Sequence, residues 1–381
     1  MKKILKPSLF ISLTLLFAIF IKCSFFPEAD PPKNLVIVSY NVFNLFDDVR
    51  NGTEYPEFDP SRGTWTSSLY RQRLSNVADV IAATEPRRGP DIICLQEIEN
   101  SRVLRDLATV WLRQFSYNYY VAAVNEGSAI TTGIISRYPI KKSKNHSLYL
   151  KEFSNLRIIT ETLIEIDGSD FYIFNCHLKS KIGGDEQTEP ARIKAAKAIA
   201  VRCREIYLEN PNAKIIVAGD LNLNIDEFKR NNRRYLTAIM PLSEMHLFPF
   251  EDVLVVTGNK YEAVLSEDSL VFYSPWFGLE GQGEEIGSYL FRGRWQTIDH
   301  FLLTAPFFNN RKWEYSGFRV LNYREFSDAD GAPLRWNTRT QRGYSDHFPI
   351  ILYINRVSAT WMSRTAVQGS AYFASTNLMA G

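Results

Sequence analysis

Several short polar motifs in this chain carry the side chains that phosphate and metal chemistry require. They are Asn41 in SYNVFNLFD, Glu97 in ICLQEIEN, His177 in FNCHLKSK, Asp220 and Asn222 in VAGDLNLN, Asp299 in TIDHFLL, and Asp346 with His347 in YSDHFPI. Each adjoins or interrupts an apolar run, which is where a strand scaffold hands functional groups to solvent. Glu97 follows Ile92–Leu95 almost directly. A carboxylate there can hold a hard divalent cation or be an ordinary solvated strand-end acid. Asp220 and Asn222 follow Ile215–Gly219 at i, i+2 spacing, which aims both one way if extended backbone continues. The alternative is an Asp/Asn turn. His177 ends the run Phe171–Cys176, and Lys179 and Lys181 after it suit an anionic substrate. Asp346 and His347 set an acid beside an imidazole just before a buried strand, an arrangement suited to metal binding and proton transfer. Asp299 interrupts a strand, which is costly unless the acid is paired. His347 is the expected partner, because a carboxylate fixes an imidazole's tautomer and raises its basicity. His300 is expected on the opposite face of the same strand. The chain has only five histidines, and His146 and His246 fall outside every motif.

The elements that must position these groups are legible as alternating apolar runs and helical spacings. Strands are expected at Leu35–Tyr40, Ile92–Leu95, Tyr119–Val124, Gly133–Ser136, Ile158–Ile166, Phe171–Cys176, Ile215–Ala218, Thr297–Leu303 and Ile350–Ile354, all rich in Val, Ile, Tyr and Phe. Tyr70, Leu74, Val77 and Ile81 share one helical face. A second helix carries Ile193, Ala196, Ala200, Cys203 and Tyr207, with Pro190 near its start and Pro211 beyond its end. Residues 155–176 read as a hairpin turning at Asp167-Gly168-Ser169. So many strands strain one open sheet, so the expected class is α/β with two packed sheets and helices outside. Asn41 and His347 must converge, which makes residues 34–356 one expected domain.

Composition narrows the class further. Hydrophobic residues are 45% and charged residues 23% of 381, which excludes a disordered chain and a multi-span membrane protein. A formal net charge of +2 excludes binding to nucleic acid by bulk charge alone. Lys2, Lys3 and Lys6 precede a charge-free stretch at 8–21, so residues 1–23 are expected to be a signal peptide or lipoprotein leader. Cys23 stands where a lipoprotein would carry its lipid, although Lys22 replaces the usual small residue. Residues 24–33 read as a linker and 357–381 as a C-terminal appendage. The expected product is exported: periplasmic, on the outer surface or secreted, with contact to membrane only through that leader or lipid. Cys94, Cys176 and Cys203 are expected as buried thiols, with one disulfide as the alternative.

Taken together, the ordered set Asn, Glu, His, Asp-x-Asn, Asp and Asp-His resembles the endonuclease/exonuclease/phosphatase superfamily. That group includes pancreatic-type deoxyribonucleases, abasic-site endonucleases, bacterial sphingomyelinases and inositol polyphosphate phosphatases. The resemblance covers about residues 34–355 and includes GIISRYPI at 133–140. It implies a four-layer sandwich of two mainly antiparallel sheets flanked by helices. It implies Glu97 as principal Mg2+ ligand, with Mn2+ or Ca2+ as substitutes, Asn41 beside metal and phosphate, and Asp346 as a metal-side carboxylate. Asp220 would orient or deprotonate the attacking water, and Asn222 would hold that water or a phosphoryl oxygen. His347 with Asp299 would be the second histidine of the site, and Lys179 a phosphate contact. His177 matches the deoxyribonuclease and sphingomyelinase branches rather than the abasic-site branch. YNVFNLFD and GSYLFRGRWQTIDHFLL resemble bacterial secreted nuclease-like members, which often carry Glu where Phe43 stands. The implied activity is a monomeric Mg2+-dependent phosphodiesterase acting on DNA or RNA. Lys141–Lys144, Lys229–Arg234, Arg292–Arg294 and Arg335–Arg342 are candidate backbone contacts. A sphingomyelinase-like or phosphoinositide-directed enzyme is the first alternative, for which Phe272–Phe277 would have to be an exposed aromatic segment. A binding module on a nuclease-like fold is the second.

Overall fold

The computed structural model describes residues 32–124, 127–153, 156–247, 253–279 and 286–357, so the expected leader, Cys23 and the C-terminal appendage lie outside the described residues. From Asn34 onward the described residues form one compact unit. One sheet has the order β16-β17-β1-β2-β4-β3, built from β1 (Asn34–Leu45), β2 (Ile92–Ile98), β3 (Tyr119–Ala122), β4 (Thr131–Ser136), β16 (Trp313–Val320) and β17 (Ile350–Arg356). The other has the order β5-β6-β7-β8-β15-β12-β10-β9, with β11 on β12. Its strands are β5 (Ile140–His146), β6 (Ile159–Ile166), β7 (Ser169–His177), β8 (Lys214–Asp220), β9 (Ile239–Pro241), β10 (Leu254–Thr257), β11 (Val264–Leu265), β12 (Leu270–Tyr273) and β15 (Asp299–Leu303). A separate hairpin pairs β13 (Tyr289–Phe291) with β14 (Arg294–Gln296). The two large sheets pack face to face through β1, β2 and β4 against β7 and β8, as the strand count demanded.

Central strands such as β1 and β8 are apolar along nearly their whole length because both faces are covered, one by the other sheet and one by helices. Helix α1 (Ser67–Thr84) starts where Thr66 caps the Leu69 amide, and it buries Tyr70, Leu74, Val77 and Ile81, the face the spacing predicted. After a short helix α2 (Ser101–Asp106), helix α3 (Asp185–Glu209) begins a turn earlier than Pro190 suggested. Asp185 and Glu186 occupy its first turn, where acids favour the helix dipole, and Pro190 falls in the second turn. A four-residue helix, α4 (Glu227–Arg230), follows β8.

The apolar sheet interface contains a few polar struts. Asn175 on β7 accepts from Gln96 Nε2 at 2.7 Å and donates to the Leu95 and Gly133 carbonyls at 3.1 and 2.8 Å. The Thr132 and Thr160 hydroxyls meet at 2.9 Å. Such buried amides and hydroxyls are stable only when paired, so they fix how one sheet sits on the other. Cys94, Cys176 and Cys203 are free and buried, as expected of packing thiols.

Strand β5 was not predicted. Its sequence IKKSKNH reads as a solvated basic run, because an edge strand with exposed residues on both sides shows no apolar alternation. Strand β16 was missed for a similar reason, since most of its residues are only partly buried.

Candidate active site

The second sheet brings three of the sequence-predicted residues into one row. His177 at the end of β7 pairs in register with Asp220 at the end of β8, and Asp220 pairs with Asp299 at the start of β15. The approach of β7 to β8 here depends on Gly219. Its φ is +123°, and an added Cβ would lie 2.0 Å from the Cys176 carbonyl oxygen.

The first sheet supplies Asn41 and Glu97 through an irregularity. Gln96 pairs with Thr132 and Ile98 with Thr131, so Glu97 is the extra residue of a bulge. Gln96 points between the sheets, and simple alternation would send Glu97 to the helix layer. A φ of 63° at Glu97 turns its carboxylate to the mouth of the site instead. Phe43 and Asn44 on β1 are also left-handed, at 54° and 55°, and the Asn44 amide donates to Glu97 Oε2 at 3.0 Å. Non-glycine residues in this region cost about 1–3 kcal/mol each, and such strain gathers at functional sites.

Asn41 joins the two sheets. Its Nδ2 donates to Glu97 Oε1 at 3.2 Å and to Asp220 Oδ2 at 3.1 Å, while its Oδ1 accepts from the Phe43 amide at 3.1 Å. His177 Nε2 lies 3.6 Å from Glu97 Oε1 and 3.5 Å from Asp220 Oδ2. His347 and Asp299 pair as expected, with Nδ1 2.7 Å from Asp299 Oδ2. Ser288 Oγ donates to the same oxygen at 2.5 Å, and Trp276 Nε1 donates to the Asp299 carbonyl at 2.8 Å. The Asp299 Oδ1 is buried and finds no hydrogen bond among the described residues. Asp346 stands beside this pair, its Oδ1 3.9 Å from His347 Nε2.

Two expected placements differ in detail. Strand β8 ends at Asp220, so Asn222 does not share its direction. Asn222 is left-handed, its amide donates to Asp220 Oδ1 at 2.9 Å, and its Nδ2 donates to the Leu178 carbonyl at 3.2 Å. The Asp/Asn turn and the site are therefore both present: one Asp220 oxygen closes the turn and the other faces Asn41 and His177. Lys179 is not gathered with the carboxylates. Its ammonium sits on the Ser180 and Ile182 carbonyls at 3.3 and 3.4 Å. His300 stays off the site, buried with its Nε2 2.8 Å from the Leu223 carbonyl.

Sequence reading missed Tyr289, whose ring stacks on His347 at 4.7 Å. It also missed Ser345, which donates to the Asn41 carbonyl at 2.6 Å and accepts from the His347 amide at 3.1 Å. Arg157 was missed too, and its charge acts on both Glu97 and His177. Ser345 and Tyr289 lay inside quoted motifs without being singled out, and nothing in the sequence distinguished Arg157.

Crowding of acids out of water sets the electrostatics. Burial and then the neighbouring Asp346 push the Glu97 carboxyl up. Burial and then Asp299 push Asp220 up to about 7. Burial depresses His177 well below the usual histidine value, so it is neutral. Burial also opposes charge on His347, but Asp299, with Asp220 and Asp346 behind it, raises that ring to about 10.

This donor set fits a hard divalent cation. Four carboxylates gather around one imidazolium, and burial, then the neighbouring acids, push Glu97 and Asp220 up, so a cation would relieve both. The tightest grouping is Asp220, Asp299 and His347, whose ligand atoms lie within 4.8 Å of one another. His347 Nδ1 is already committed to Asp299, however, so this grouping is a hydrogen-bonded pair facing a third acid. Glu97 and Asp346 are the partly exposed acids at the mouth and so the ones a cation can reach; Glu97 accepts from Asn41 and Asn44, and Arg335 lies 3.9 Å from Asp346.

Comparison with known proteins bears on the family and the fold. Residues 36–240, more than half of the chain, match the profile described as Endonuclease/Exonuclease/phosphatase family. A 5'-tyrosyl-DNA phosphodiesterase of Caenorhabditis elegans is 28% identical over 158 residues, covering 42% of this chain and 40% of that protein. The Caenorhabditis briggsae 5'-tyrosyl-DNA phosphodiesterase is 26% identical over 171 residues, 45% of this chain and 46% of that protein. The chain thus spans less than half the length of the curated relatives it matches. Among solved structures, truncated Caenorhabditis elegans TDP2 has a TM-score of 0.50 at 18% identity, covering 84% of this chain and 98% of that one. The human Nocturnin catalytic domain has a TM-score of 0.50 at 14% identity, covering 86% and 96%. These structural likenesses speak for the fold. With its two packed sheets, its convergent acids and histidines, and this match, the chain belongs to the endonuclease/exonuclease/phosphatase family.

Proposed function

We propose that the protein is an exported, Mg2+-dependent phosphodiesterase that hydrolyses nucleic acid. The observation that carries this reading is the convergence of Asn41, Glu97, His177, Asp220, Asp299 and His347 from the ends of two sheets onto one mouth. A divalent cation held by Glu97 and Asp346 would neutralise phosphoryl oxygen charge, which is the chemistry such an ion supplies. The protein's own residues do the rest. Asp220, held near neutrality, accepts the proton of the attacking water through Oδ2. His347 is a cation under working conditions, so it donates from Nε2 to the developing phosphoryl charge rather than acting as a base. Asp299 orients that ring. Asn41 spaces Glu97 from Asp220, and Asn222 fixes the Asp220 rotamer through the turn.

Two observations favour nucleic acid over lipid. Phe272 and Trp276 are buried and Tyr273 and Phe277 are half-buried against the core, so the Phe272–Phe277 segment is not the exposed aromatic hairpin that a lipid enzyme would need. The curated relatives' name, 5'-tyrosyl-DNA phosphodiesterase, also points to DNA. Export rests on the N-terminal sequence alone, and among the described residues no helix is long and apolar enough to cross a membrane.

The test is a panel of DNA, RNA, sphingomyelin and phosphoinositide, each with Mg2+ and with EDTA. Mg2+-dependent cleavage of a nucleic acid, abolished in His347→Ala, is expected. Equal turnover in EDTA or in the variant would overturn the assignment.

A further inference from the structure

We infer that the cleft beside the β13–β14 hairpin is a binding track for the single-stranded flank of a polynucleotide, a proposal that rests on the nucleic-acid reading above. The cleft has a volume of about 770 Å3. The hairpin forms one wall with Phe291, Arg292 and Arg294, and Arg234 joins from beyond α4. Asn224, in the segment that follows Asp220 and Asn222, lies at its floor.

An aromatic ladder connects this cleft to the reaction centre. Tyr289 stacks on His347 at 4.7 Å and 29°, and on Phe291 at 6.3 Å and 15°. Phe291 is 45% exposed, unusual for a ring held parallel to a neighbour and lining a cleft. The other face of the hairpin is anchored, with Trp295 stacked on Phe348 at 6.0 Å. Strand alternation thus commits Leu290 and Trp295 inward and leaves Tyr289 and Phe291 toward the site.

The cations lining the cleft divide into paired and unpaired among the described residues. Lys181 is neutralised by Glu227 at 2.7 Å and Arg230 by Asp226 at 2.6 Å. Arg234, Arg292 and Arg294 have no carboxylate at ion-pair distance among the described residues, and the Arg292 guanidinium lies 5.1 Å over the Phe291 ring. Asp185 and Glu186 also line the cleft and would repel phosphates, which favours a backbone path along the arginines of the hairpin. Rings for stacking interleaved with arginines suit unpaired bases, whose faces are free; a duplex offers no base face to such a ladder.

Binding of a fluorescein-labelled oligothymidylate about twelve nucleotides long, measured by anisotropy in EDTA so that nothing is cleaved, tests the track. Phe291→Ala is expected to bind about tenfold more weakly, Phe291→Leu equally so, and Phe291→Tyr close to wild type. Arg292→Ala with Arg294→Ala should lower the slope of log K against log salt by about 1.4, or about 0.7 for each phosphate that is no longer neutralised. Arg87→Ala, exposed in the loop before β2 at the end of that strand away from Glu97, controls for a general loss of charge, and melting curves control for folding. The proposal fails if Phe291→Leu binds like wild type, if the arginine pair leaves the slope unchanged, or if an equally long duplex is weakened as much as the single strand. Wild-type hydrolysis of bis-p-nitrophenyl phosphate with Mg2+ tests the active-site reading separately, so the two can fail independently.

Discussion

Asp299→Asn keeps the shape of the side chain and removes the charge that holds His347. In the native protein burial opposes the imidazolium, but Asp299 at 2.7 Å is its largest support, and the ring rises to about 10. With that charge gone and burial unchanged, the ring falls to the ordinary value near 6.5 or below. At about pH 8 nearly every native ring is cationic, whereas in the variant only about one in thirty is. The Nδ1 bond also changes from charge-assisted to neutral, a loss of about 1 kcal/mol, or roughly a further fivefold. Together these predict a fall in kcat/KM on the order of a hundredfold.

The assay is bis-p-nitrophenyl phosphate hydrolysis with Mg2+ across the pH range, with aliquots brought to one alkaline pH before the nitrophenolate is read. The native profile should rise through about pH 7 as Asp220 loses its proton and fall through about pH 10 as His347 loses its own. In the variant the alkaline limb should move to near 6.5, and the acid limb should move down with it, because Asp299 also helps to hold Asp220 up. A variant within about threefold of wild type, with its alkaline limb in place and its melting temperature unchanged, would refute the role assigned to the imidazolium.

Other consequences follow from particular contacts. Gly219→Ala should lower the melting temperature and activity together, because its Cβ would strike the Cys176 carbonyl between His177 and Asp220; equal melting curves would contradict this. Arg73 is buried and donates to the Val42, Phe43 and Tyr344 carbonyls at 2.6, 2.9 and 2.6 Å. Arg73→Met, which strands those acceptors, should cost about 3 kcal/mol in urea unfolding. Glu161 is held down to about 2: burial opposes its charge, but the His146 and Arg202 hydrogen bonds prevail. A depressed carboxyl stabilises fully above its ordinary value of 4.5 and loses that contribution as pH falls toward 2. The stability advantage of wild type over Glu161→Gln should therefore be full at about pH 6 and shrink steadily below about pH 4, as unfolding at several pH values will read.

The site was legible where an apolar run ended in a polar residue. Glu97, His177 and Asp220 stood at such ends, and an acid inside the Thr297–Leu303 strand demanded a partner that proved to be His347. What escaped was whatever depends on a backbone departing from its element. The i, i+2 argument for Asp220 and Asn222 assumed a strand that stops at Asp220. Nothing in ICLQEIEN announced that Glu97 is the bulged residue, since a left-handed Glu has no sequence signature. Ser288 and Tyr289 reach the site through long-range pairing, which spacing cannot show. In the fold, two kinds of strand escaped: β5 hides as a lysine run because an edge exposed on both sides gives no period of two, and β9, β10 and β12 are apolar but too short to show a period.

Strand β17 lies between β1 and β16, so the last strand of the described chain closes the sheet that the first one opens. That placement sets a time at which activity can begin. Asn41 is made early and His347 late, and the Ser345 hydroxyl that ties the two regions together waits for the same closing step. A chain lacking its final strand still carries Ser345 and His347, but without β17 paired to β1 nothing holds them against Asn41 and Asp299, and so it is inert. Synthesis order therefore acts as a safety catch: a growing or still-unfolded chain carries most of a hydrolase without being one until its two ends meet.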